Sequence, residues 1–157
     1  MSFPAHRRST RGGRDLDLDQ AEAFGPLDTE AINLQPNNHI AYVNRGKLKH
    51  ELKDYESAVE DYDAALKLRP DFAQAYLERG RAKREMKDIK GQIADYSLAI
   101  EYRPDYQHAY YERGIVRCEM GDKWGGCDDL NKALRLGSDL AYNYITQHCN
   151  NQRATKN

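Results

Sequence analysis

Between residues 39 and 140 the apolar positions fall at helical spacing, in paired segments. Ala41, Tyr42, Leu48 and Leu52 mark a first helix, and Ala58, Val59, Tyr62, Ala65 and Leu66 a second. Lys53-Asp54 separates them, as Lys87-Asp88 and Gly121-Asp122 do further along. The aspartate of each turn suits the N-cap of the second helix, because its carboxylate can accept from an unpaired amide of the first turn. Each second helix is expected to end at or just before Arg69-Pro70 or Arg103-Pro104, since the residue before a proline is pushed out of the helical region. Asp71 and Asp105 then open the next unit.

The pattern recurs every 34 residues, with Tyr42, Tyr76 and Tyr110 each four residues before Gly46, Gly80 and Gly114. A fixed period of this length marks a stacked array whose core is a sum of interfaces between units. Three helix pairs are expected, at 38–71, 72–105 and 106–139. Ala31 to Pro36 aligns with Ala65 to Pro70, so residues 26–37 read as the last turns of a second helix without its partner. Ala141, Tyr144, Ile145 and His148 predict a capping helix at 140–150 with an apolar stripe and a polar back. Residues 1–25, with Arg7, Arg8, Arg11 and Arg14 ahead of an Asp-Leu alternation, read as disordered, and 151–157 as a flexible tail.

Charge excludes little. The chain has 24 basic and 25 acidic residues among 157, so no overall field marks a nucleic-acid binder. No apolar run reaches the roughly 20 residues a membrane helix needs. Three cysteines make no even-numbered framework, which points to a reducing, cytoplasmic setting. Arg45, Arg79 and Arg113 each precede an aspartate by 16 residues (Asp61, Asp95, Asp129), which predicts one charge-assisted pair per unit.

These residues resemble the tetratricopeptide repeat (TPR) family, whose pattern sets an aromatic, a glycine, an alanine, an aromatic, an alanine and a proline at fixed offsets. Tyr42, Gly46, Ala58, Tyr62, Ala65 and Pro70 match it in the first unit. Tyr76, Gly80, Tyr96, Ala99 and Pro104 match in the second, with Gln92 in place of a small residue. Tyr110, Gly114 and Ala133 match in the third, with Gly126, Leu130 and Ser138 as weaker counterparts. The resemblance implies an all-α, right-handed α-solenoid of three helix-turn-helix units with a partial N-terminal half-repeat and a C-terminal capping helix. It also implies a peptide-binding groove lined by the first helices. The groove positions here are Ile40, Val43, Lys47 and His50, then Gln74, Leu77, Arg81 and Arg84, then His108, Tyr111, Ile115 and Cys118. They read as basic in the first two units and apolar in the third.

Some family members grip the C-terminal carboxylate of heat-shock chaperones with lysine, asparagine and arginine. The corresponding positions are Val43, Lys47, Glu78, His108 and Glu112, and the two glutamates would repel a carboxylate. A co-chaperone of that kind is therefore not expected. Nor is catalysis, since Cys118 and His108 on one helix face lack a third, orienting group. Cys118, Cys127, His148 and Cys149 fit no compact ligand motif, Cys127 reads as a small buried hydrophobe, and no metal or cofactor is expected. The expected function is a non-catalytic adaptor or scaffold for an extended peptide of another protein, acidic with an apolar anchor. Self-association through the terminal repeats to a homo-oligomer is the alternative, and nucleic-acid binding by the Arg-rich arm a weaker one.

Overall fold

The computed structural model of the chain describes residues 29–149, so the expectations for 1–25 and 151–157 lie outside the described residues. Within them a helical segment at 29–34 (α1) precedes three helix pairs and a last helix. The pairs are α2 (His39–Glu51) with α3 (Tyr55–Leu68), α4 (Ala73–Glu85) with α5 (Ile89–Tyr102), and α6 (Gln107–Glu119) with α7 (Lys123–Arg135). The last helix is α8 (Asp139–His148). No described helix is long and apolar enough to cross a membrane.

The helix ends follow from their residues. Asp54, Asp88 and Asp122 cap α3, α5 and α7, accepting from Ser57, Gly91 and Gly125 amides at 3.3, 2.9 and 2.9 Å. Asn38 caps α2 with its side chain, accepting from the amides of Ile40 and Ala41. The same position holds Phe72 and Tyr106 in the later units, where no side-chain cap forms. Asp71 and Asp105 therefore do not cap the first helices. They accept instead from Arg69 and Arg103 in the exposed turns. Arg69 and Arg103 lie just past α3 and α5, as their prolines require.

The repeat glycines make room for rings. A Cβ on Gly46 would stand 2.7 Å from Tyr62 Cε1, and one on Gly80 only 2.5 Å from Tyr96 Cε1. The first helix thus lies against the tyrosine of its partner, at a cost of about 1 kcal/mol in helix propensity per glycine. In the third unit Leu130 fills that place against Gly114. Three clusters form the core: one around Tyr62, one around Tyr96, and one joining Leu130 and Ala133 to Ala141 of α8.

All three expected ion pairs form, each as a fork. Arg45 Nε, Arg79 Nε and Arg113 Nε donate to Asp61, Asp95 and Asp129 at 2.8, 2.9 and 2.8 Å, with a terminal nitrogen on the other oxygen. A second cation one turn on completes each site: Lys49 at 2.9 Å, Lys83 at 2.8 Å and Arg117 at 2.8 Å. Two cations on each buried carboxylate offset the cost of taking it out of water. Arg79 also reaches back to Asp63 of the preceding unit, and Arg113 to Ser97 Oγ at the equivalent position. In the second and third units the arginine that locks the unit therefore also binds it to the unit before.

Candidate functional site

The residues singled out for a groove separate into three groups. Val43 and Leu77, each 2 % exposed, and Ile115 are core residues. They present almost no surface to a ligand, because the helix face expected to line the groove turns inward at these positions. Lys47, His50, Gln74 and Arg81 are partly exposed, and Ile40, Arg84 and His108 are exposed. His50 lies edge-on to Tyr55, and His108 to Tyr106.

The third group is the apolar end. Tyr111 and Cys118 are half-buried and pack on the same cluster as Tyr144, Ile145 and Cys149 of the last helix and its cap. The expected apolar anchor site is therefore largely occupied by the chain's own α8. The outer side of α8 departs from its expected polar back, since Leu140 and Tyr142 are exposed there beside Asp139 and Asn143.

The basic end is tied up internally. Lys47 of α2 lies 3.4 Å from Glu78 of α4, and Arg81 of α4 donates to Glu112 of α6 at 3.0 Å. Arg81 also approaches Glu78 at 3.5 Å, and Arg84 donates to the second oxygen of Glu112 at 3.3 Å. A ladder of alternating charge thus runs across three successive first helices. Burial opposes the charge on Arg81, but Glu112 and Glu78 outweigh it and hold its pKa above the usual arginine value. The expectation of a basic half-groove is corrected accordingly, because Glu78 and Glu112 cancel much of its field. The arginines remain reachable: the side chains of Arg81 and Arg84 are 33 % and 41 % exposed. Beside the ladder a hollow of about 450 Å³ opens between α4, the start of α6 and the end of α7, lined by Leu77, Glu78, Arg81, Tyr106, His108 and Leu136.

The cysteines behave differently from expectation. Cys127 is not a lone hydrophobe but is joined to Cys149 by a disulfide, with Cα atoms 5.9 Å apart. Three cysteines give one bridge and one remaining thiol, so an odd count did not exclude a disulfide. Cys118 stands beside the bridge, and the three sulfurs lie within 4.8 Å of one another. Burial, then Asp122 and Glu119, push the Cys118 thiol above its ordinary pKa. His148 takes no part in this group; it stacks on Tyr144 instead. Their spacing along the chain hid this convergence, since the sulfurs meet only when α6, α7 and the end of α8 pack together.

Comparison with known proteins agrees with this geometry. One family model, described as TPR repeat, matches residues 47–86, and another, tetratricopeptide repeat, matches 73–106. No curated protein sequence matches the chain. Among solved structures, a crystal structure of MamA superposes with a TM-score of 0.69 at 21 % identity, over 76 % of this chain and 70 % of that one. MamA from Desulfovibrio magneticus RS-1 gives 0.67 at 19 % identity, over 76 % and 67 %. The first TPR of Spaghetti (RPAP3), bound to the HSP90 peptide SRMEEVD, gives 0.69 at 19 % identity, over 74 % and 94 %. At such identities the likeness is one of fold. With two overlapping repeat matches and the same helical stacking, residues 47–106 of the chain are tetratricopeptide repeats.

Proposed function

We propose that the chain is a non-catalytic interaction module that holds an extended acidic segment of another protein along its first helices. The observation that carries this reading is the ladder from Lys47 to Arg84, because it sets a reachable ammonium on α2 and two reachable guanidinium groups on α4, the latter held toward α6 by Glu112. A guanidinium has five donors, and neither Arg81 nor Arg84 directs all of them at a glutamate. An acidic side chain can take the open donors while Glu78 and Glu112 keep the arginines in place. The half-buried Tyr111 offers the remaining apolar contact for an anchor residue. The first TPR of RPAP3, alike in fold, is bound to an acidic peptide, SRMEEVD, which supports this reading. The terminal-carboxylate grip is not part of the proposal, since Glu112 occupies one of its positions and is buried.

The test is fluorescence anisotropy with a labelled acidic peptide containing one aromatic residue, beside its Asn/Gln counterpart. The acidic peptide is expected to bind at least tenfold tighter, to weaken as salt is raised, and to lose at least fivefold on Arg84→Glu. Equal affinity for the two peptides would remove the arginines from the account. A second reading, self-association, draws on Leu34 and Ile40 exposed at one end of the array and Leu140 and Tyr142 at the other. Sedimentation of the wild type and of Leu140→Asp decides it: a monomer at all concentrations in both rules it out.

A further inference from the structure

We propose that Cys118, Cys127 and Cys149 form a redox-gated binding site for one soft metal ion, of the three-coordinate Cu(I) class. Metal–sulfur bonds of about 2.3 Å in a trigonal thiolate site set the sulfurs about 4 Å apart. All three Sγ atoms here already lie within 4.8 Å of one another. Only the bonded pair has to separate, and its Cα atoms at 5.9 Å leave room for that by side-chain rotation.

The surroundings are shaped for the third sulfur. A Cβ on Gly126 would meet Cys118 Sγ as well as the backbone of Gly114 and Cys118, so glycine at this position admits both the thiol and the close approach of α6. The first two units have Ala58 and Gln92 there, and His50 and Arg84 where the third has Cys118. The third unit thus departs from the repeat at both places together, and the sulfur fills the space the glycine leaves. Among the described residues no histidine or carboxylate joins the three sulfurs in the group. A donor set of three sulfurs alone favours a soft ion of low coordination number over a four-coordinate one.

The disulfide is the gate. A dithiol reductant gives two electrons and two protons to the Cys127 and Cys149 sulfurs and leaves as its own disulfide. The ion then displaces the thiol protons to water and bonds to three thiolates. Re-oxidation of the pair by a low-molecular-weight disulfide restores the bridge, removes two of three ligands and expels the ion.

The experiment titrates the reduced full chain with Cu(I) against the chromophoric chelator bathocuproine disulfonate, with circular dichroism recorded alongside. One Cu(I) per chain is expected, with affinity at least tenfold lower for Cys118→Ser and no uptake by the oxidised protein. Cys118→Ser retains the bridge, so its oxidised form reports whether the fold is intact. Equal affinity in wild type and Cys118→Ser overturns the proposal. So do uptake by the oxidised chain, loss of helix on reduction, or preference for Zn(II) over Cu(I).

Discussion

Tyr62 and Tyr96 each bring a phenol into full burial beneath a glycine of the facing helix, and neither hydroxyl finds a hydrogen-bond partner within the described residues. Burial is the main reason that both hydroxyls resist ionisation well above the ordinary tyrosine value, with Glu78 adding to it at Tyr62 and Glu112 at Tyr96. The sign of the linkage follows. A folded-state pKa above the unfolded one means that the contribution is complete below about pH 10 and is lost as pH climbs toward the folded values. Stability should therefore fall above about pH 10, and a phenolate absorbance titration should leave two tyrosines silent until the chain unfolds. Two buried tyrosines that ionise with the exposed ones would contradict this. The glycine and tyrosine partners were both legible in the sequence, because the period placed them at the same offset in two units. The unpaired hydroxyls were not, since a pattern of residue types carries no information on what a ring's far end meets.

At the level of single helices, the turn inside each unit has one residue in the left-handed region. It is Lys53 at φ 64°, Lys87 at φ 60° and Gly121 at φ 90°. Only the third unit has the residue type that adopts this conformation without a Cβ penalty, which costs other residues about 1–2 kcal/mol. Lys87→Gly is therefore expected to stabilise the chain by about 0.5–1 kcal/mol, the gain being offset in part by a freer unfolded chain. A urea midpoint that falls or stays unchanged would show that the lysine's aliphatic stem repays the strain. The turns and their aspartate caps could be read directly from Lys-Asp and Gly-Asp. The starts of α4 and α6 could not: Phe72 and Tyr106 occupy the capping position for packing rather than for hydrogen bonding.

Across the whole molecule, the sequence exposed what repeats and concealed what crosses between units. The Arg–Asp forks lie at one offset within each unit and stood out three times. Arg81 and Arg84 find Glu112 at separations of 31 and 28 residues, so a search confined to one unit left them free. The capping helix was expected, but not that it would cover the apolar end of the first-helix face. The disulfide belongs to the same class, since it joins a second helix to the end of the cap across 22 residues.

That bridge closes a covalent ring around residues 128–148. A protease cut in the ring, for example after the exposed Arg135, releases no fragment: the nicked chain should run as one band on a denaturing gel without reductant and as two with it. The ring also redirects force. A pull on the chain beyond Cys149 passes through the sulfur bridge into the middle of α7, so α8 sits outside the line of tension and bears no load while the bridge is closed.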